Sequence, residues 1–539
     1  MHRIFVVILW VFLSGLSHAA DMEDPLAVQL DLLSSAKLKQ IPAYIDSLAE
    51  LKDPRGGAVL EAMLAGNLYV RKSDKKIYIT SKGDDSLLLM TDPLGVEGQA
   101  SEPKKHFKRV PVNNRMRSQL RLAIAKVHLS AQDKQQRLEA VYRLSNDLTP
   151  EILSLLNHVA ETEQDGEVLA ALYSAQDLAS LNSGDRIEKL AAIDRLQSSL
   201  QPVVLTRLLD IVAVDDKGEY IEQDLVVVKR AEKAIASIQG KAKFYGFVET
   251  TFFGLSLGSV LLLSSIGLAI TFGVMGVINM AHGELIMLGA YTTYVVQLLM
   301  PNNIEYSLLV AVPAAFLVSG MVGVAIERGV IRFLYGRPLE TLLATFGVSL
   351  VLQQAVRSIF SPLNRSVETP SWMSGAIDIN PLLSLTYNRL YIVVFALVVF
   401  FLLLVILKKT TLGLQFRAVA QNRAMARAMG IRSEWVDAMT FGLGSGVAGI
   451  AGVALSQLTN VGPNLGQAYI IDSFMVVVFG GVGNLWGTLV SAFSLGIANK
   501  FLEPTVGAVL AKILVLVFII LFIQKNPRGL FPQKGRAAE

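Results

Sequence analysis

Cysteine is absent from the 539 residues, which excludes disulfides and thiolate metal sites. Excess charge of either sign is also missing. Lys and Arg outnumber Asp and Glu by only 49 to 45, and a formal net charge of +4 gives nucleic acid no electrostatic footprint. No GxxxxGK[ST] phosphate-binding loop occurs, which excludes nucleotide hydrolysis through that motif. Histidines number six, and His106, His128 and His158 are scattered; neither a metal site nor a cofactor is expected. Apolar side chains, by contrast, are plentiful at 52%, with a mean hydropathy of +0.47, and they concentrate after Phe244. The chain reads as two proteins in series.

Residues 1–20 read as a secretory signal peptide: His2 and Arg3, an apolar run from Ile4 to Leu13, then Ser17-His18-Ala19-Ala20. Residues 21–243 are then expected to be a periplasmic, mostly helical domain. Leu68 to Met90 alternates and is broken by Ser73-Asp74 and Gly83-Asp84, which predicts a small hairpin. The run Lys104 to Arg109 is expected as a solvated basic loop. From Asn114 the period is helical, and RLEAVYRL at Arg137–Leu144 repeats as KLAAIDRL at Lys189–Leu196. The same offset of 52 pairs Pro150 with Pro202, each opening a second helix, so the unit reads as a HEAT-like helix pair.

Residues 244–539 read as a membrane domain. Apolar runs near the roughly 20 residues of a spanning helix fall at 247–272, 275–299, 306–327, 341–359, 389–407, 436–457, 468–483, 485–502 and 505–523. Basic residues cluster at Arg328–Arg337, Lys408–Arg432 and Lys525–Arg536, and such clusters mark the cytoplasmic side. Nine crossings that start outside put all three clusters, and the C-terminus, in the cytoplasm. The expected fold is therefore all-α: a polytopic bundle of about nine spans after a soluble HEAT-like domain.

Three stretches of this half carry candidate function. Gly273 to Tyr291 places Asn279, His282 and Glu284, with Gly283 among them, in an apolar setting where unpaired polar groups are costly. Its glycines permit a helix break, and broken backbone survives at membrane depth only where it is buried or lines a cavity. A substrate pathway is expected there, with Asn279 and His282 sharing a face if the helix continues. Thr410 to Ser433 contains no acid and reads as one amphipathic cytoplasmic helix from about Arg417 to Gly430. Its alanines permit close docking of a partner, so Arg417, Ala418, Ala420, Asn422, Ala426 and Gly430 are candidate contacts, and Arg423 is expected to be a dispensable rim charge. Finally, Gly480, Gly481, Gly483 and Asn484 suggest a tight turn between two short spans.

These motifs carry a family resemblance over Phe247 to Leu530. TLGLQFRAVAQNRAMARAMGI followed by FGLGSGVAGIAGVA resembles the coupling loop of ATP-binding-cassette importer permeases. GLAITFGVMGVINMAHGELIMLGAY and DSFMVVVFGGVGNLWGTLVSA resemble the branched-chain amino-acid permease group of the LivH type. The long extension ahead of the first span is similar to that of urea-transporter permease subunits, which implies urea or short amides as substrate, with branched-chain amino acids as the alternative. The resemblance also implies a second permease subunit as heterodimer partner, two ATP-binding-cassette ATPase subunits and a periplasmic substrate-binding protein. It makes the chain a pathway-forming inner-membrane subunit in the lipid bilayer rather than an enzyme. A channel or secondary transporter would need the same buried polar residues but no coupling helix.

Overall fold

The computed structural model describes residues 24–51, 53–82, 87–95, 100–182 and 185–531. The expected signal peptide, residues 1–20, lies outside them. The chain divides into two compact units, Met1–Lys241 and Ala242–Glu539.

The first unit opens with α1 (Pro25–Ser35), α2 (Ile41–Glu50) and α3 (Pro54–Ala65). Asp24 and Asp53 cap α1 and α3 with a carboxylate that accepts a free first-turn N–H, just ahead of a proline that has none to satisfy. The expected hairpin is part of something larger. Strands β1 (Leu68–Arg71), β2 (Ile77–Lys82), β3 (Leu87–Thr91), β4 (Ala100–Pro103) and β5 (Phe107–Arg109) form an antiparallel sheet in the order β4-β3-β2-β1-β5. The basic run is thus only partly loop. Phe107–Arg109 pairs with β1 as an edge strand and buries Phe107 edge-on to Tyr78, 6.5 Å between ring centroids. Edge strands tolerate lysine and arginine, which is why this one reads as solvated sequence.

Six helices follow: α4 (Asn114–His128), α5 (Lys134–Leu144), α6 (Pro150–Thr162), α7 (Gly166–Ser180), α8 (Arg186–Leu196) and α9 (Pro202–Ile211). The two matched segments lie in two similarly built cores, each drawing on three successive helices rather than on the expected helix pair. One core joins Ala140, Val141, Leu144, Ile152, Leu156, Val168, Leu172 and Ala175, from α5, α6 and α7. A second joins Ala192, Ile193, Leu196, Val204, Leu208, Val227, Ala231 and Ala234, the last three from the start of α10 (Leu225–Met275). The offset is 52 through the first two helices and 59 in the third, because the loop before α10 is longer. Ion pairs repeat with the same offsets. Arg137 Nε donates to Glu163 Oε2 at 2.9 Å and Lys189 Nζ to Glu222 Oε2 at 2.7 Å, while Lys134–Asp165 at 3.5 Å returns as Arg186–Asp224 at 2.9 Å.

The second unit contains the remainder of α10 and α11 (His282–Leu299), α12 (Ile304–Gly329), α13 (Pro338–Phe360), α14 (Tyr387–Lys409), α15 (Thr411–Gln421), α16 (Arg423–Ala428), α17 (Ser433–Ser456), α18 (Leu465–Gly480), α19 (Leu485–Val506) and α20 (Ala508–Lys525). A hairpin, β6 (Ala376–Asn380) and β7 (Leu383–Thr386), lies between α13 and α14. Among the described residues a helix lies on each of the nine apolar runs, but only seven of these helices are long and apolar enough to cross a membrane; α11 and α18 fall short of that standard. Helix α17 is the core of the bundle, packed against α11 and α12. A Cβ on Gly289 of α11 would lie 2.0 Å from the Gly449 carbonyl oxygen of α17, so the two backbones touch and only glycine fits. In α20, Val509, Leu510, Leu514 and Leu521 are exposed, as suits a helix bathed by hydrocarbon.

Candidate functional site

Helix α10 ends at Met275, and residues 276–281 are not helical. Gly276 starts the break with φ +68, a conformation side chains resist. Asn279 Oδ1 accepts from Ala281 N at 3.0 Å, and Thr345 Oγ1 of α13 accepts from Met280 N at 3.1 Å. Side chains thus satisfy the broken backbone where water is excluded. Asn279 and His282 therefore do not share a helical face: the helix stops, and His282 opens α11. His282 Nε2 meets the Ser264 carbonyl oxygen at 2.7 Å, and Ser264 precedes the end of α10 by about 16 Å of helix. Helix α11 thus starts level with the middle of the α10 membrane segment.

Glu284, 1% exposed, sits in the first turn of α11. Its Oε1 accepts from Ser349 Oγ at 2.9 Å and from Gln353 Nε2 at 2.7 Å, while Oε2 makes no hydrogen bond. Asn279 Nδ2 and His282 Nδ1 are also buried without a partner. Ser349 and Gln353 belong to a stripe on α13, Thr341, Thr345, Ser349, Gln353 and Arg357, that follows the chain every four residues along one helical face. Sequence reading missed this stripe, although its spacing was visible; each residue is unremarkable alone. Beside it, the start of α18 meets the start of α11. A Cβ on Gly283 would lie 2.6 Å from the Gly466 carbonyl oxygen, and Arg357 Nη2 donates to Asn464 Oδ1 at 2.8 Å just ahead of α18. Two short helices therefore begin side by side next to one buried carboxylate.

The expected single helix after α14 is two. Asn422 interrupts it and caps α16, its Oδ1 accepting from Met425 N at 2.9 Å. Arg417 bonds the Leu407 carbonyl and is exposed, and Ala418 and Ala420 are half-buried. Ala426, 4% exposed, packs with Phe416, Val419 and Val436 in the chain's own core, which removes it from the set of free docking residues. Ala424, Met425, Ala428, Met429 and Gly430 (φ +86) form the exposed surface. Arg423 is not a rim charge: Nη1 donates to Asp437 Oδ1 at 3.1 Å, Nη2 bonds Oδ2, and the guanidinium lies 3.8 Å over the Tyr335 ring. Burial opposes its charge, but Asp437 and Tyr335 together outweigh this and hold its pKa above the ordinary arginine value.

Gly481 and Gly483 have φ of +100 and +77, and Gly480 packs directly on Gly487, forming a tight turn between α18 and α19. Asn484 Oδ1 accepts from Trp486 N at 3.1 Å and Gly487 N at 3.2 Å, capping α19, and its Nδ2 donates to the Phe531 carbonyl at 3.2 Å. The segment after α20 is strapped across the turn through Leu530 N to Phe479 O at 2.9 Å. A cavity of about 480 Å³ brings parts of all three stretches together, with Gly273, Arg417, Ala420, Gly483 and Asn484 in its wall. Asn279, His282 and Glu284 do not line it.

A family model described as the branched-chain amino acid transport system / permease component matches residues 250–523, more than half of the chain. A high-affinity branched-chain amino acid transport system permease protein, BraD, of Pseudomonas aeruginosa is 28% identical over 297 residues, which are 53% of this chain and 96% of that one. LivH of Salmonella typhimurium, with the same description, is 29% identical over 299 residues, again 53% and 96%. The ribose import permease RbsC of Escherichia coli is 28% identical over 237 residues, 42% of this chain and 69% of its own. No solved structure matches. The polytopic bundle is that of a membrane permease component. The chain belongs to the branched-chain amino acid transport system permease family.

Proposed function

We propose that the chain is the inner-membrane permease subunit of an ATP-binding-cassette importer, with the first unit in the periplasm and α15 and α16 facing the cytoplasm. The observation that carries this reading is the cavity bounded by α15, the glycine turn and the end of α10, which sets the segment proposed to meet the ATPase beside two spanning elements. Two ATPase subunits, a second permease subunit and a periplasmic binding protein complete the assembly, and this chain is not an enzyme. Asn279, His282, Gly283 and Glu284, joined by Ser349 and Gln353, form or support the route.

For the cargo we propose urea or a short amide. BraD and LivH are covered almost end to end by half of this chain, which leaves the first unit as an extra part, and that extension is what resembles urea-transporter subunits. Branched-chain amino acids are the second reading, favoured by the names of those relatives. Labelled urea uptake by the assembled complex, challenged with excess leucine or excess acetamide, separates them. Inhibition by acetamide alone supports the amide reading. Leucine transport with no urea uptake overturns it.

A further inference from the structure

We infer that the Arg423–Asp437 pair is a positioning tie that makes α16 and α17 move as one body, so that force arriving at α16 reaches the pathway helices. The inference rests on the reading of α15 and α16 as the segment that meets the ATPase.

Apolar packing already holds this segment in place, because Phe416, Val419 and Ala426 share a core with Val436 of α17. Such contacts are non-directional and let one helix slide over another. The ion pair adds direction. A guanidinium fork meeting a carboxylate with two parallel bonds fixes both distance and orientation, which a lysine point charge cannot do. Asp437 is 3% exposed and Tyr335 covers one face of the Arg423 guanidinium, so little water competes for the carboxylate, while the Arg423 side chain stays 18% exposed. Neighbouring bonds triangulate the tie. Arg427 Nε donates to Ser433 Oγ at 2.6 Å at the start of α17, and Arg332 Nη2 donates to Glu434 Oε2 at 2.9 Å from the connection after α12.

What α17 touches next gives the tie its consequence. Its Gly449 is in backbone contact with Gly289 of α11 and with Ala315 of α12, and a Cβ on Gly452 would lie 2.0 Å from the Ile286 carbonyl oxygen of α11. Backbones this close leave no compressible space between them, so a displacement of one is passed to the other. A movement of α17 is therefore delivered to α11, whose first turn carries Glu284. The contacts run unbroken from the exposed face of α16 to the buried carboxylate.

The test uses the complete complex, purified with its ATPase subunits and reconstituted in vesicles, with Asp437→Asn, Arg423→Lys and the exchanged pair Arg423→Asp with Asp437→Arg. Co-purification, ATP hydrolysis and uptake are measured side by side. Asp437→Asn is expected to retain the ATPase subunits and their hydrolysis while uptake per ATP falls about ten-fold or more. Arg423→Lys falls in between, and the exchanged pair recovers part of the loss. Uptake per ATP within about two-fold of wild type in Asp437→Asn overturns the inference. So does loss of the complex in all three variants, which would make the pair an assembly element only. Ala424→Trp, on the exposed face of α16, is run in parallel: normal ATPase binding in that variant removes the docking assignment, and the ion-pair variants report on the tie separately.

Discussion

A carboxylate enclosed by a helical bundle is stable only when donors surround it, and Glu284 has two on one oxygen and none on the other. That asymmetry separates support from function. Gln353→Leu removes a donor from the satisfied oxygen and is expected to destabilise the complex by about 1–3 kcal/mol, read as a lowered melting temperature in detergent. Glu284→Gln keeps the shape and is expected to leave assembly intact while uptake drops; unchanged uptake would take Glu284 out of the route. In the first unit, burial alone would push Glu163 up, but Gln164 N and Asp165 N, both at 3.0 Å, and Arg137 outweigh it and hold its pKa below the ordinary 4.5. A lowered folded-state value means that Glu163 contributes stability above about pH 4.5, a contribution lost as pH falls through the lower folded value. Glu163→Gln should cost about 2 kcal/mol near neutral pH and flatten that acid response. Hydrogen exchange of α5 to α7 in the full chain would show it, and an unaltered acid response in the variant would contradict it.

Among the elements, α15 and α16 show why a helical stripe read from sequence can mislead. The alanine spacing suggested one continuous docking face, but Asn422 turns the chain and sends Ala426 inward while Ala424 and Ala428 stay outside. Overpacking a core site typically costs about 1–3 kcal/mol, and Ala426→Trp inserts far more than a methylene, so that variant is expected to lose the folded protein rather than only the partner. Ala424→Trp and Gly430→Glu are expected to express normally and fail to retain the ATPase, as co-purification would reveal; retention in both would return the segment to a lipid-facing role. At the α18–α19 turn, a Cβ on Gly481 would lie 2.8 Å from the Phe531 carbonyl oxygen, in a backbone region that valine avoids. Gly481→Val should therefore prevent assembly, and a stable but inactive complex would show instead that the turn itself works in transport.

At the scale of the whole molecule, the parts legible in the sequence are those governed by local pattern. The apolar runs and the glycine turn need only composition and spacing, and among the described residues a helix falls close to each run, though only seven of these helices are long and apolar enough to span. What stayed hidden depends on residues far apart. Thr345 supports a break 65 residues upstream, Ser349 and Gln353 surround a carboxylate on another helix, and Asp437 makes Arg423 structural. The three-helix build of the two cores escaped because a longer loop changes the offset between them from 52 to 59, although the Arg137–Glu163 and Lys189–Glu222 pairs preserve it. The reading of the whole as an energised importer meets its most direct test in vesicles containing the complete complex, with binding protein and labelled substrate outside and ATP or no nucleotide on the ATPase side. Accumulation against a gradient with ATP, and none without it, is the predicted result. Equal entry in both conditions, running only down the gradient, would contradict the account and make the bundle a channel.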